Sequence, residues 1–250
     1  MATDGKIVLY DFDFSPCARR VRALLIEKGL DWETRIVDLT RMEQKHPSYL
    51  KLNPNGVVPT LDHDGKVIYE SNVINEYLDA VFPSPRLYPE DPWLCAQVKM
   101  WQAWELSMAK EYRPLMYLRV IGPFDRQRPK DEVMADARRS TDDPAHLDWV
   151  SRVYDGTVLT DHETKLLEGQ LYDRLNHLEK SLAGTDFLVG NRFTMADIAV
   201  YPRVVMYPMV KLPIEPSRYP NVTAWIARVG ARPSITASER ARGGGQHSIG

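Results

Sequence analysis

The sequence predicts an α/β layer of order βαβ-α-ββα, with a mixed four-stranded sheet, followed by an all-α helical bundle. Three observations carry this. Strand and helix patterns alternate through the first eighty-odd residues. The stretch FPSPRLYPEDP at 82–92, with four prolines in eleven residues, then interrupts them. Beyond it strand signals vanish and helical patterns dominate.

Residues 6–10 (KIVLY) read as a strand. Residues 16–28 read as a helix with Ala18, Val21, Leu24 and Leu25 on one face and Arg19, Arg20, Arg22 and Glu27 elsewhere. Gly29 stops it as a left-handed cap. WETRIVDL (32–39) is a second strand, and a short helix around 43–52 ends at Asn53-Pro54. Val58–Asp62 and Lys66–Tyr69 form a hairpin about Asp64-Gly65, a favoured two-residue turn. Ser71 is a suitable N-cap for a helix reaching Val81. Later helices are expected over 91–121, 131–157 with a break at Pro144, 160–183, 194–211 and 219–230, with 123–158 read as an insertion. Thr194 and Asp197 suit an aspartate version of a capping box, with Phe193 and Ile198 as staple, and Pro202 predicts a kink. The division is 1–83, a linker at 84–91, a helical domain at 92–240, and a glycine-rich tail at 241–250 expected to be disordered.

The chain has 250 residues, 44% hydrophobic and 26% charged, as in ordinary globular proteins. Its 32 basic and 34 acidic residues leave a net charge of −2, which argues against general binding to nucleic acid or anionic membranes. Two cysteines, Cys17 and Cys95, are too few for a disulfide framework or a thiolate zinc cage, and the six histidines are scattered, so no metal is expected. No secretory signal or membrane-spanning run is visible, and a cytoplasmic location is expected.

The turn DFDFSPCARRVR (11–22) places a hydroxyl and a thiol two residues apart at the start of a helix. Ser15 can cap that helix, with Pro16 at its first position. Cys17 is either a small buried hydrophobe or a thiol acidified by the helix N-terminus.

Four segments, in order, carry a family resemblance: SPCARRVR (15–22), NPNGVVPTL (53–61), YESNVINEYL (69–78) and LVGNRFTMADIAVYP (188–202). Together with the two-part architecture they resemble the cytosolic glutathione S-transferases, in particular zeta-type and tetrachlorohydroquinone dehalogenase-like bacterial members. The resemblance implies a thioredoxin-like N-terminal domain that binds glutathione, and Pro59 as a cis-proline presenting the Val58 backbone to the tripeptide. It also implies Glu70 and Ser71 at the γ-glutamyl end, and Gln44 with Lys45 at the glycyl carboxylate. Gly56-Val57 stands where the family often has Lys or Gln. Ser15 aligns with the residue that stabilises the glutathione thiolate, and Cys17 with a thiol used in dehalogenation. An electrophile pocket between the domains is expected to draw on Phe14, Trp104, Met108, Tyr112 and Tyr117. Asp197 is assigned to capping rather than catalysis.

The leading expectation is therefore attack of glutathione on a hydrophobic, aromatic electrophile, by conjugation, dehalogenation or ether cleavage, in a homodimer without metal. A thiol transferase using Cys17 and a non-catalytic glutathione-binding module are the alternatives.

Overall fold

Strand β1 (Ile7–Asp11), buried along its whole length, is the axis of the sheet. In the computed structural model, which describes residues 5–240, β1 pairs in parallel with β2 (Glu33–Ile36) and antiparallel with β3 (Thr60–His63). β3 in turn pairs antiparallel with β4 (Lys66–Tyr69), giving the order β2-β1-β3-β4. Asp64 and Gly65 both have positive φ, 53° and 80°, as the two-residue hairpin turn requires. The tail expected to be disordered lies outside the described residues.

Helix α1 (Pro16–Glu27) follows β1 and buries the expected apolar face. It also buries Arg20 and Arg22, which the periodicity placed off that face. Each has a distant polar partner: Arg20 donates to Asn72 Oδ1 (3.0 Å), and Arg22 pairs with Asp11 (2.5 Å). After a 3₁₀ turn at Leu39–Arg41, the helix expected at 43–52 resolves into a second 3₁₀ turn (Glu43–Lys45) and the short α2 (Pro47–Leu50). Pro47, which has no N–H, starts a new helix there and cannot continue one.

Helix α3 runs Ser71–Val81, so Ser71 is its first residue and Glu70 its flanking cap. The proline-rich linker is anchored. Buried Lys28 contacts Asp79 (2.7 Å) and the carbonyls of Phe82 and Pro85, while Asp79 accepts from Leu87 and Tyr88 N–H.

The single helix expected over 91–121 is broken into α4 (Pro92–Ser107), α5 (Ala109–Met116), a π-helical stretch (Tyr117–Ile121) and α6 (Gly122–Asp125). Pro114 inside α5 removes a helical donor just before the π stretch. Then come α7 (Lys130–Ser140), α8 (Pro144–Asp155), α9 (Asp161–Ser181) with a Thr160/Glu163 capping box, α10 (Met195–Val204), a 3₁₀ turn (Tyr207–Val210), α11 (Pro220–Gly230) and α12 (Pro233–Ala237). Pro202 lies inside α10, which ends two residues later. No helix among the described residues is long and apolar enough to cross a membrane.

The compact units cut across the linear division. Among the described residues, one comprises 5–102, 186–203 and 226–240; the other comprises 103–185 and 204–225. In the first, residues near 230 return to α1: Arg232 and Ser234 bond Glu27. In the second, Leu171, Leu175 and Leu178 of α9 are buried in a core that also holds Tyr207 and Trp225.

Beside the sheet, Glu33 contacts Lys6 (2.6 Å) and Arg35 (2.9 Å), which hold its carboxyl down at about 2. A depressed carboxyl contributes stability in full above its unfolded value, and that stability is lost as pH falls toward the folded value. Glu33→Gln is therefore expected to flatten the acid limb of the stability–pH curve between about pH 4.5 and 2. Denaturant titrations provide the check: the variant should be less stable than the wild type at neutral pH, and the two should converge as pH falls toward 2.

Candidate active site

Ser15 sits where the chain turns from β1 into α1. Its N–H donates to Phe12 O (3.0 Å), its backbone is extended, and its Oγ accepts from Ala18 N–H (3.2 Å). The capping bond uses only a lone pair of the hydroxyl. The hydroxyl proton is left for a second acceptor, so capping and donation to a thiolate are compatible in one side chain. Cys17, half-buried and in no disulfide, is the second residue of α1. Phe14 is 71% exposed at the same turn and makes an edge contact with Phe12. Phe12 packs against the cluster of Val8, Tyr10, Val37, Tyr49 and Val58, which joins this turn to the next segment.

That segment is the loop before β3. The Val58-Pro59 peptide is cis, as is Ser84-Pro85, which no sequence motif signalled. Among the described residues neither the N–H nor the C=O of Val58 has a hydrogen-bond partner, so both are available to an extended ligand. Buried groups fix the loop from behind. Tyr49 O–H and Asn53 Nδ2 both donate to Val57 O (2.7 and 2.8 Å), and both reach Thr60 Oγ1. Burial pushes the Tyr49 phenol up to about 12, so it stays a donor. Sequence reading missed this trio, whose members lie 4 to 11 positions apart and meet only once the loop is folded.

Gly56 has φ 57°, and a Cβ there would lie 2.9 Å from both Gln44 O and Lys45 Nζ. The departure from the family's Lys or Gln thus has a local cause: this turn needs a left-handed residue without a side chain. Lys45 Nζ reaches Asn55 O (3.5 Å), and Gln44 Oε1 is buried without a protein partner among the described residues. Asn55 Nδ2 donates to Glu70 Oε1 (2.9 Å), so the structure brings Gln44, Lys45, Gly56 and Glu70 into one connected set.

Glu70 has φ 68° and ψ 108°, a conformation costing of order 1–3 kcal/mol that non-glycine residues hold mainly at functional sites. It leads into buried Ser71. The N–H groups of Ser71, Asn72 and Val73 have no partner among the described residues, as expected of a first helical turn. These amides, with the helix dipole, suit a carboxylate. The Arg20–Asn72 bond ties this turn to α1. A tripeptide with a carboxylate at each end and a thiol in the middle fits what these residues leave unsatisfied: helix amides, a free backbone edge, and a hydroxyl proton.

The expected electrophile-pocket residues divide. Met108 and Tyr112 are core, a correction to their expected role. Both are buried in the second unit, where Tyr112 O–H donates to Met206 O (2.8 Å) and Met108 Sδ receives the Tyr207 hydroxyl. Trp104 is half-buried against His177 and Arg174. Tyr117, also half-buried, meets Trp149 edge-on at 4.4 Å, and burial raises its phenol. Trp149 was missed because its segment read as an insertion. Asp197 is fully buried and accepts from Thr194 N–H and Leu188 N–H, which makes it a folding residue. Among the described residues no cluster of three His, Cys, Asp or Glu is placed to hold a metal.

Comparison with known proteins agrees with this geometry. Residues 14–81 match the family model "Glutathione S-transferase, N-terminal domain", and residues 144–233 match "Glutathione S-transferase, C-terminal domain". Protein LigF of Sphingobium sp. is 30% identical over 90% of each chain, and a probable maleylacetoacetate isomerase of Vibrio cholerae is 30% identical over 92% of this chain and 93% of its own. The crystal structure of beta-etherase LigF superposes with a TM-score of 0.82 at 27% identity, covering 93% of this chain and 98% of that one. A theta-class glutathione S-transferase from Xanthomonas axonopodis pv. citri, with glutathione bound, gives 0.71 at 26% identity, covering 95% and 98%. With both halves matched and relatives aligned nearly end to end, the chain belongs to the glutathione S-transferase family, as a zeta-like member and a glutathione-using enzyme.

Proposed function

We propose that this transferase cleaves aromatic ethers by displacement with glutathione. The carrying observation is the likeness to beta-etherase LigF over almost the whole of both chains. In this reading the γ-glutamyl carboxylate lies on the first-turn amides of α3 beside Ser71, and Glu70 pairs with the adjacent ammonium. The Val58 N–H and C=O bond the cysteinyl unit across the cis-Pro59 bend, and Gln44 and Lys45 meet the glycyl carboxylate.

Ser15 then donates its hydroxyl proton to the sulfur. Lowering a thiol from about 8.5 by roughly two units requires about 2.7 kcal/mol of preference for the thiolate. A hydrogen bond to a charged acceptor supplies roughly 1.5–3 kcal/mol, and the N-terminus of α1 adds about 0.3–1 kcal/mol. The thiolate attacks the carbon bearing the ether oxygen. The C–S bond forms, the C–O bond breaks, and the oxygen leaves with the bonding pair and is protonated by water. An aryl oxygen leaves as a phenoxide, whose conjugate acid has a pKa of about 10, so no strong acid is needed at the site. Exposed Phe14, next to Ser15, offers a ring edge and face to the aromatic group. Dehalogenation and simple conjugation are the same displacement with other leaving groups.

In unit one, Val67, Tyr69, Val73, Trp93 and Met100 are exposed apolar side chains on β4, α3 and α4. Together with the family's habit they support a homodimer covering this face. Free Cys17 and Cys95 suit a reducing, cytoplasmic setting.

The test is a product screen with an aryl ether, a haloarene and a mixed disulfide, each with glutathione. The expected result is release of the phenol together with a glutathione thioether. Retention of ether cleavage in Cys17→Ala with loss of disulfide exchange would assign a separate thiol-transfer activity to Cys17. Absence of phenol release, with turnover of the haloarene alone, would overturn the ether reading.

A further inference from the structure

Arg22 lies fully buried on α1, two turns beyond the catalytic corner, and its guanidinium serves three segments at once. Nη1 contacts Asp11 Oδ1 at the end of β1 (2.5 Å), Nη2 donates to Asp13 O in the turn (3.1 Å), and Nε donates to Ser238 O (2.9 Å). Stability alone is a poor reason for this arrangement. Both side chains of the Arg22–Asp11 pair are fully buried, and burial raises the Asp11 carboxyl even with the guanidinium beside it. Apolar residues of similar volume commonly replace such a pair without loss of stability. What apolar residues cannot supply is the fork of donors that fixes the Asp13 peptide, two residues before Ser15.

One turn earlier, Arg19 reaches Ile235 O (3.4 Å), Ser238 Oγ (3.5 Å) and Glu239 (3.3 Å), with its guanidinium over the Tyr201 ring. The two arginines thus hold residues 235–239 against α1. The charged groups around Arg22 are Asp11, Asp13, Arg19 and, through Arg19, Glu239.

We propose that Arg22 is a positioning residue for Ser15, holding the 11–15 turn in register between β1 and the 235–239 segment so that the Ser15 hydroxyl meets the sulfur. This rests on the reading of Ser15 as thiolate donor.

The experiment follows the ultraviolet thiolate absorbance of enzyme-bound glutathione against pH in the full chain, alongside the pH profile of kcat/KM. Arg22→Lys keeps the charge and loses the fork. It is expected to raise the bound thiol's apparent pKa by about one unit, lowering kcat/KM at neutral pH roughly tenfold, with glutathione affinity at low pH unchanged. Asp11→Asn, which leaves the bonds to Asp13 O and Ser238 O in place, is expected to titrate like the wild type. If Arg22→Lys does not fold, the double variant Asp11→Leu/Arg22→Met replaces the pair with apolar volume, and the same rise is expected.

A wild-type thiol titration in a folded Arg22 variant, with only a lowered melting temperature, overturns the assignment. So does an equal shift in Asp11→Asn, which would make the ion pair rather than the fork responsible. Ser15→Ala separates the two levels. If it leaves the titration unchanged, both readings fall; if it shifts the titration and Arg22→Lys does not, only the Arg22 assignment falls.

Discussion

Ser15→Ala is expected to lower kcat/KM about 100-fold at neutral pH and to move its alkaline-rising limb up by roughly two units. The sign follows from which form the hydroxyl favours. Donation to sulfur stabilises the anion, so it lowers the thiol pKa, and removing the donor returns the pKa toward that of free glutathione. The deficit should therefore shrink as pH rises and nearly close where free thiol is ionised. The same substitution removes the Ala18 N-cap bond, a loss of about 0.5–2 kcal/mol of stability. Ser15→Thr keeps both the cap and the donor, so the two effects can be separated by comparing melting temperature with the pH profile. A uniform loss at every pH would remove the thiolate role from Ser15.

Asp197→Ala is expected to be the most damaging single change to the fold outside the site. Asp197 Oδ1 accepts from Leu188 N–H (3.1 Å) and Oδ2 from Thr194 N–H (3.0 Å), both in a buried setting. Deleting the carboxylate strands two backbone donors at about 1–3 kcal/mol each, or roughly 2–6 kcal/mol together. At about 2–4 °C per kcal/mol for a chain of this length, the melting temperature should fall by roughly 4–24 °C. Asp197→Asn retains one acceptor oxygen and should lose less. Below the transition, kcat/KM per folded molecule should remain unchanged; a fall there would make Asp197 part of the chemistry.

Much of this was legible because it is local. The Asp64-Gly65 turn, the Ser15 cap with Pro16 behind it, and the Thr194/Asp197 box each depend on residues within three positions of one another. The bend at Pro59 was legible only through family resemblance, since proline before a strand has a plain reading too. What stayed hidden depends on partners far along the chain. Arg20 and Arg22 look like solvated charges until Asn72, Asp11 and Ser238 are brought to them. Periodicity identified the face holding Met108 and Tyr112 but could not say whether it turned inward, and Tyr207 and Met206 meet it there. Helix α12 is only five residues long, too short for a periodic signal.

The return of residues 226–240 to α1 has a consequence for biosynthesis. The Arg22–Ser238 bond spans 216 positions, so at about 5–20 residues per second the ribosome needs roughly ten to forty seconds to deliver its second half. Until then α1 carries the guanidiniums of Arg19 and Arg22 without their acceptors in residues 235–239. The turn around Ser15 therefore gains this support only after residue 238 has been made.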